Sequence, residues 1–220
     1  MDSEARILRE NMKDLRTETI ASTVFHCGSI GDHDVVLMQC GIGKVCAACA
    51  TQALISRFSP DYIINTGCAG ALSPGLKVGD MVISRSAVEY DLDFTEIGFP
   101  LGFITSLGLS VIDADTGLAS LIRKAIPADV NVAEGLVVSG DQFVSSQAQR
   151  NKILSNFPSA LCTEMEGAAI AHVCAQNGVP FCIVRCMSDT ADGNSGVSFA
   201  EFSDRAGVKS AEMLIRMLAK

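Results

Sequence analysis

The sequence lacks tryptophan and has only two tyrosines, which leaves little aromatic surface for stacking nucleic-acid bases. Basic residues are also scarce, because 17 lysines and arginines stand against 25 aspartates and glutamates, for a formal net charge of -8. The pI of about 4.8 is acidic, whereas a nucleic-acid partner requires a basic face. We therefore expect a small-molecule ligand and no nucleic-acid partner.

Targeting and membrane signals are missing as well. The first residues lack the basic start and apolar centre of a signal peptide, and no run reaches the ~18 apolar residues of a membrane span. Nine cysteines, an odd number at irregular spacing, are typical of reduced core residues. The spacing of Cys46 and Cys49 has no second pair to complete a zinc site. We expect a cytoplasmic protein with no membrane partner, no metal and no cofactor.

A chain of 220 residues fits one α/β domain spanning residues 1–220, large enough to bury a core without disulfides. Apolar runs predict strands over 22–29, 35–40, 62–64, 80–87, 132–139 and 180–187. Helices are predicted over 3–12, 41–58, 115–126, 146–157 and 167–175, and in a final helix starting with a capping box at Ser198, while 90–109 is predicted to be a long loop. Four of the strands end in polar residues, which predicts a shared polar rim.

The stretch from Thr163 to Asp192 concentrates the most chemistry. Its apolar strand contains Arg185, which needs a partner when buried, and ends in Ser188-Asp189. The two-residue period predicts that Arg185 and Asp189 share one face near the end of the strand, where open α/β sheets bind ligands. Glu164 and Glu166 flank Met165 at the start of a helix. Two simpler interpretations remain: the glutamates only complement the helix end, and Asp189 only pairs with Arg185.

Together these motifs resemble a known family. Glu164-Met165-Glu166 and Ser188-Asp189, joined by five further motifs, resemble the nucleoside phosphorylase/nucleosidase superfamily, and in particular the 5'-methylthioadenosine/S-adenosylhomocysteine nucleosidases. The further motifs are Gly41-Ile42-Gly43-Lys44-Val45, Asn65-Thr66-Gly67-Cys68-Ala69-Gly70, Lys77-Val78-Gly79-Asp80, Ser139-Gly140-Asp141-Gln142-Phe143 and Ser198-Phe199. The resemblance implies a three-layer α/β fold with a central twisted mixed β-sheet flanked by helices, in which the first family strand is missing.

By this resemblance the protein is a hydrolase that breaks the N-glycosidic bond of 5'-methylthioadenosine, S-adenosylhomocysteine and 5'-deoxyadenosine and releases adenine. Asp189 is the implied acid to the base, and Glu166 stabilises the oxocarbenium-like ribose. Glu4 holds the attacking water, helped by Arg185 and by Cys68, where the family usually has serine.

The resemblance also implies how the substrate is held and how the chains assemble. Phe143 stacks on adenine, the Val144 backbone reads its edge, and Ile97 reaches into a partner's site, which implies a homodimer. The implied substrate-binding residues are Ile42, Cys68, Ala69, Gly70, Ile97, Phe143, Val144, Glu164, Met165, Ser188 and Phe199. Without the motif, Phe143 and Phe199 would be interpreted as core residues.

Other functions on the same fold remain open. Phosphorolysis needs cationic groups for phosphate, but Asn65-Thr66 stands where phosphorylase relatives carry an arginine, and no motif supports Arg57 or Arg85. An aminodeoxyfutalosine nucleosidase and a non-catalytic nucleoside-binding protein are further alternatives. The sequence does not rank the 5' substituents.

The start of the chain departs from the family pattern, because Glu4 enters with no strand before it. Chain ends fray unless something ties them down, so we expect a mobile Glu4 and slow turnover. Adding about eight residues of apolar strand before Met1 is then expected to raise turnover about tenfold or more.

Overall fold

The computed structural model describes residues 2–189 and 195–219, with the side chains of all of these except residues 2, 3, 195–201 and 203. Helices and strands alternate along most of the chain. The helices are α1 (Asp2–Glu10), α2 (Lys44–Phe58), α3 (Thr116–Ala125), α4 (Gln147–Asn156), α5 (Gly167–Asn177) and α6 (Ser195–Leu218). The strands are β1 (Lys13–Ile20), β2 (Thr23–Ile30), β3 (His33–Met38), β4 (Ile63–Ala71), β5 (Met81–Glu89), β6 (Ile112–Asp113), β7 (Val132–Ser139), β8 (Ala160–Glu164) and β9 (Phe181–Asp189).

The strands form two sheets in the described part of the chain. Six of them lie in the order β6-β5-β7-β8-β4-β9, and β9 also pairs with β5, so the sheet closes on itself. Parallel pairs (β5–β7, β7–β8, β4–β9) and antiparallel pairs (β5–β6, β4–β8, β5–β9) occur together, which confirms the mixed sheet. The other three strands form an antiparallel sheet in the order β1-β2-β3.

Helices cover the large sheet on two sides. Apolar side chains of α2 and α5, such as Leu54 and Ile170, pack in one core cluster with β4 and β9. Side chains of α1, α3 and α6, such as Leu8, Ile122 and Leu214, pack in a second cluster on β5 and β9. The three-layer arrangement is therefore confirmed. No described helix is both long enough and apolar enough to cross a membrane.

Local signals account for several helix ends. The Asp115 side chain accepts a hydrogen bond from Leu118 N and caps α3, and Ser146 does the same for α4 through Gln149 N. These are the residues at which the sequence predicts the two helices to start. Gly178 adopts a left-handed conformation, with φ 68°, and ends α5.

The sequence prediction is wrong in three places. The strand predicted over 62–64 runs as β4 to Ala71, because its glycines continue the pairing with β9. Helix α6 begins at Ser195, so Ser198 lies inside the helix and the predicted capping box does not start it. Strands β1, β6 and β8 were not predicted, since β1 is charged and mostly exposed, β6 has only two residues and β8 has only five.

Candidate active site

Arg185 lies in the middle of β9 and is 4% exposed. Its guanidinium donates to Asn65 Oδ1 at 2.5 Å, to the Cys68 carbonyl oxygen at 3.4 Å, and to the Glu164 carboxylate. Burial alone would lower the pKa of Arg185, but the charges of Glu164 and Glu166 outweigh it and raise that pKa. The partner that a buried arginine requires is therefore supplied by carboxylates from the β8–α5 connection.

Glu164 is held by donors from four directions. Its carboxylate accepts from Gly167 N at 2.7 Å, from Glu166 N at 3.1 Å, from the Ser139 hydroxyl and from Arg185. The backbone donors belong to the N-terminal end of α5, where a negative charge is favourable. The sequence predicts Glu164 as a substrate-binding residue. In the structure its carboxylate is directed into the protein, where it fixes Arg185 and the backbone of Glu166.

Glu166 lies beside this buried pair, and its side chain is 15% exposed. Its Oε1 accepts from Gly43 N at 3.1 Å, and its Oε2 lies 3.7 Å from Arg185 NH2. Burial raises the pKa of Glu166 above its usual value, Arg185 opposes this shift, and the charge of Glu164 adds to it. Of the two glutamates, Glu166 is thus the more accessible to a ligand.

Glu4 is fixed in the structure, although the sequence predicts it to be mobile. It lies in α1, is 4% exposed, and accepts a hydrogen bond from Thr66 Oγ1 at 2.7 Å. The prediction that Glu4 frays is therefore wrong. The predicted gain in turnover from an added strand was based on that mobility, so the structure removes its basis.

Asp189 ends β9 and is 3% exposed. The register shifts here, because Met187 pairs with Ala69 and Asp189 pairs with the next residue, Gly70, which makes Ser188 the extra residue of a β-bulge. The regular alternation that predicts a common face for Arg185 and Asp189 is therefore interrupted between them. Ser188 Oγ donates to Asp189 Oδ2 at 3.0 Å.

The glycine-containing segment of β4 brings Cys68, Ala69 and Gly70 next to β9. Cys68 pairs with Cys186, and Ala69 accepts at its carbonyl oxygen from Ser188 Oγ at 3.4 Å. Burial raises the pKa of the Cys68 thiol, which Arg185 and a hydrogen bond with Ser188 partly oppose. A thiol with a raised pKa stays neutral, so Cys68 contributes a weak hydrogen-bonding group and no charge.

The apolar side chains that are predicted to contact the substrate or a partner chain lie mainly on the surface of the single chain. Ile42 is 76% exposed, Ile97 is 71% exposed, and Phe143 is 46% exposed in the connection between β7 and α4. The alternative of a core role for Phe143 is therefore wrong. Val144 and Met165 are buried and half-buried respectively. Phe199 lies in α6, but its side chain falls outside the described residues.

Comparison with known proteins defines the family. A model of the phosphorylase superfamily matches residues 1–219. The 5'-methylthioadenosine/S-adenosylhomocysteine nucleosidase of Staphylococcus saprophyticus is 42% identical over 219 residues, which cover 99% of this chain and 96% of that protein. The chain belongs to the 5'-methylthioadenosine/S-adenosylhomocysteine nucleosidases of the phosphorylase superfamily. The resemblance drawn from its motifs is confirmed.

Solved structures of this nucleosidase family superpose closely on the chain. The Neisseria meningitidis nucleosidase in complex with methylthio-immucillin-A gives a TM-score of 0.96 at 37% identity, covering 100% of this chain and 95% of that chain. The Colwellia psychrerythraea nucleosidase in complex with adenine gives 0.95 at 37% identity, covering 99% and 91%. The fold of this chain is therefore that of the nucleosidases.

Some residues that build the site were not predicted from the sequence. Thr66 and Asn65 belong to a family motif but were assigned no role in the site, yet Thr66 bonds Glu4 and Asn65 bonds Arg185. Ser139 donates to Glu164 and accepts from Ala168 N at 2.7 Å. A polar side chain inside an apolar strand was the available signal, because such a group needs a buried partner.

Proposed function

We propose that this protein hydrolyses the N-glycosidic bond of 5'-methylthioadenosine and S-adenosylhomocysteine and releases adenine. The observation that carries the proposal is that Cys68 on β4 lies within the electrostatic influence of both Arg185, which is paired with Glu166, and Glu4, which is bonded to Thr66, in a chain of the nucleosidase family. Such a site holds one carboxylate for the sugar and another for a water. The same fold and site suit 5'-deoxyadenosine as a further substrate.

Bond cleavage requires a proton on the leaving base. Asp189 is the proposed acid: it is buried at the end of β9 and its Oδ2 accepts from Ser188 Oγ, which orients the carboxyl group. As the C1'–N9 bond breaks, its electron pair moves to the purine and Asp189 supplies the proton. Adenine then leaves as a neutral molecule.

Positive charge builds on the ribose as the base leaves. Glu166 is the proposed stabiliser of this oxocarbenium-like sugar, because its carboxylate is partly exposed while the Gly43 N–H holds it in place. Arg185 and Glu164 form the buried pair behind it. The ionic groups are thus organised before the substrate binds, so little reorganisation is needed in the transition state.

The nucleophile is a water molecule on the face of the sugar opposite the base. Glu4 is proposed to orient this water and take its proton, while the Thr66 hydroxyl fixes the direction of the Glu4 carboxylate. The Cys68 thiol and the Arg185 guanidinium complete its surroundings. The water oxygen bonds to C1', and the products are adenine and a free thioribose.

Substrate recognition is assigned to the residues that the family motifs indicate. Exposed Phe143 stacks on adenine, and the Val144 backbone reads the edge of the base. The backbone of β4 and of Met165 approaches the ribose. Ile42 and Ile97 are exposed apolar residues, as contacts for a 5' thio group and a partner chain should be.

Two wider assignments belong to the same proposal. The protein is a homodimer in which Ile97 reaches the partner's pocket, supported by the exposed apolar side chains of Ile42, Val45 and Ile97. It works in the cytoplasm, supported by nine cysteines that are all free thiols, as expected in a reducing compartment.

Phosphorolysis is disfavoured by the positions of the arginines. The Arg57 side chain is 56% exposed and donates from Nε to Glu18 at 2.7 Å. Arg85 is paired with Glu134. Neither guanidinium contacts the carboxylates around Arg185 in the described residues, so neither of these arginines supplies a second cation there to hold a phosphate.

The test is a substrate panel with 5'-methylthioadenosine, S-adenosylhomocysteine, 5'-deoxyadenosine and aminodeoxyfutalosine, each with and without phosphate. We expect adenine release from the first two at rates that phosphate does not change. Turnover of aminodeoxyfutalosine alone, or of no nucleoside, would contradict the proposal.

A further inference from the structure

The side chain of Lys44, the first residue of α2, is largely shielded from solvent. It is only 16% exposed, and Nζ lies 2.6 Å from Asp91 Oδ1 and 3.1 Å from Glu89 Oε2. Burial disfavours the charged amine, but the hydrogen bond to Asp91 and the charge of Glu89 outweigh it and raise the pKa of Lys44. One ammonium group thus holds two carboxylates from the end of β5 and the following loop.

The contacts of Lys44 close into a ring. Asp91 Oδ2 accepts from Asp141 N at 2.8 Å, and Asp141 Oδ1 accepts from Lys44 N at 2.7 Å. Lys44 is therefore linked to Asp141 in two ways. Its backbone N–H donates directly to the Asp141 carboxylate, and its ammonium holds Asp91, which accepts from Asp141 N. Asp141 precedes Phe143 by two residues, so this ring anchors the segment that carries the proposed adenine-stacking ring.

The same turn also contacts the ribose side of the site. Gly43, next to Lys44, has φ 91° and donates to Glu166 Oε1 at 3.1 Å. A Cβ at this position would lie 3.0 Å from Asp141 Oδ1, so glycine lets the two segments approach. The two backbone donors at the start of α2 are thus taken by two carboxylates from elsewhere, Glu166 and Asp141.

A further contact of Lys44, through Glu89, leads to α5 and extends the ring into a larger network. Glu89, 7% exposed, uses its second oxygen to contact His172 Nδ1 at 2.8 Å. His172 lies on the helix that starts directly after Glu166. The network therefore connects β5, the start of α2, the Asp141 segment and the helix that follows the catalytic glutamate.

We propose that Lys44 is a positioning residue that couples the adenine-side segment around Phe143 to the ribose-side carboxylate Glu166. Lys44 acts on the Phe143 segment through Asp91 and Asp141, and on Glu166 through the neighbouring Gly43. This inference rests on the proposed function, because it assigns a role within that site. It predicts that removing the ammonium weakens adenine binding first, because the ring holds Asp141 in the segment that carries Phe143.

The experiment compares Lys44→Met with Lys44→Arg and with Arg57→Met as a matched control. Arg57 lies at the opposite end of α2 in an exposed ion pair, so its loss removes a charge from the same helix without touching the ring. Each protein is first checked for folding and for the size of a dimer. The dissociation constant of free adenine is then measured by calorimetry, and KM and kcat are measured with 5'-methylthioadenosine.

We expect Lys44→Met to bind adenine about tenfold more weakly, as loss of one charged hydrogen bond implies, with a matching rise in KM. Lys44→Arg is expected to recover most of the affinity, and Arg57→Met to behave as the wild type. Wild-type affinity in Lys44→Met, or equal losses in Lys44→Met and Arg57→Met, would overturn the inference. Failure of the proposed function is distinguishable from failure of this inference, because it would abolish adenine release by the wild type while leaving the comparison of adenine binding intact.

Discussion

The hydrogen bond between Thr66 and Glu4 allows the role of Glu4 to be tested without touching any ionisable group. Thr66→Val replaces the hydroxyl with a methyl of similar size and removes the donor 2.7 Å from Glu4 Oε1. The backbone of Thr66 pairs with Val184 in the parallel β4–β9 ladder, so a β-branched replacement suits the strand. The variant therefore leaves Glu4 in place but loosens its direction.

The size of the effect follows from the charge on the acceptor. A hydrogen bond to a charged group contributes about 1.5–3 kcal/mol, and about 1.4 kcal/mol corresponds to tenfold. If Glu4 must point at the water to activate it, kcat falls by roughly 10- to 100-fold in Thr66→Val. KM should change by less than about threefold, because the proposed role of Thr66 is to direct Glu4 toward the water and not to bind the nucleoside.

Adenine release from 5'-methylthioadenosine, followed by chromatography, provides the assay. Thr51→Val is the matched control: Thr51 is fully buried in α2, and its hydroxyl has no hydrogen-bond partner among the described residues. It should keep wild-type kcat. Equal kcat values for wild type, Thr66→Val and Thr51→Val would refute the assignment of Glu4 as the residue that holds the water.

Four further outcomes are expected. Asp189→Asn should nearly abolish kcat while binding stays within about tenfold, since an amide bonds the base but cannot protonate it; wild-type kcat would remove Asp189 as the acid. Because burial raises the pKa of Glu166, the acidic limb of the kcat profile should lie above the usual glutamate range, where protonation removes the active carboxylate. Glu164→Gln deletes a charge that adds to this shift and should move that limb to lower pH; an unmoved limb would show that Glu166 does not control it. Ile97→Asp should produce monomers in light scattering and raise KM about tenfold, whereas an intact dimer with unchanged KM would contradict the shared site.

Sequence motifs predicted the fold and most of the strands because buried strands are apolar and the helix caps are explicit. The helix start at Asp115 and the whole of β7 were predicted from such signals. Strand β1 was missed because its burial is low, so no apolar alternation marks it. Propensity does not identify a strand that is stabilised mainly by pairing with β2.

The geometry of the candidate site was not predictable from the sequence. The bulge at Ser188 interrupts the alternation between Arg185 and Asp189, and one extra residue in a strand leaves no mark in its composition. The Thr66 contact that fixes Glu4 joins residues 62 positions apart, so no local pattern reveals it. The two carboxylate partners of Lys44 likewise come from distant segments, so no local pattern reveals them.

The central claim is that water, and not phosphate, attacks the sugar. The most direct measurement is turnover of 5'-methylthioadenosine in phosphate-free water enriched in the heavy oxygen isotope, with mass analysis of the sugar product. We expect free adenine and a thioribose that carries the heavy oxygen at C1', formed at a rate that added phosphate does not change. A requirement for phosphate, with a ribose 1-phosphate as the product, would contradict it.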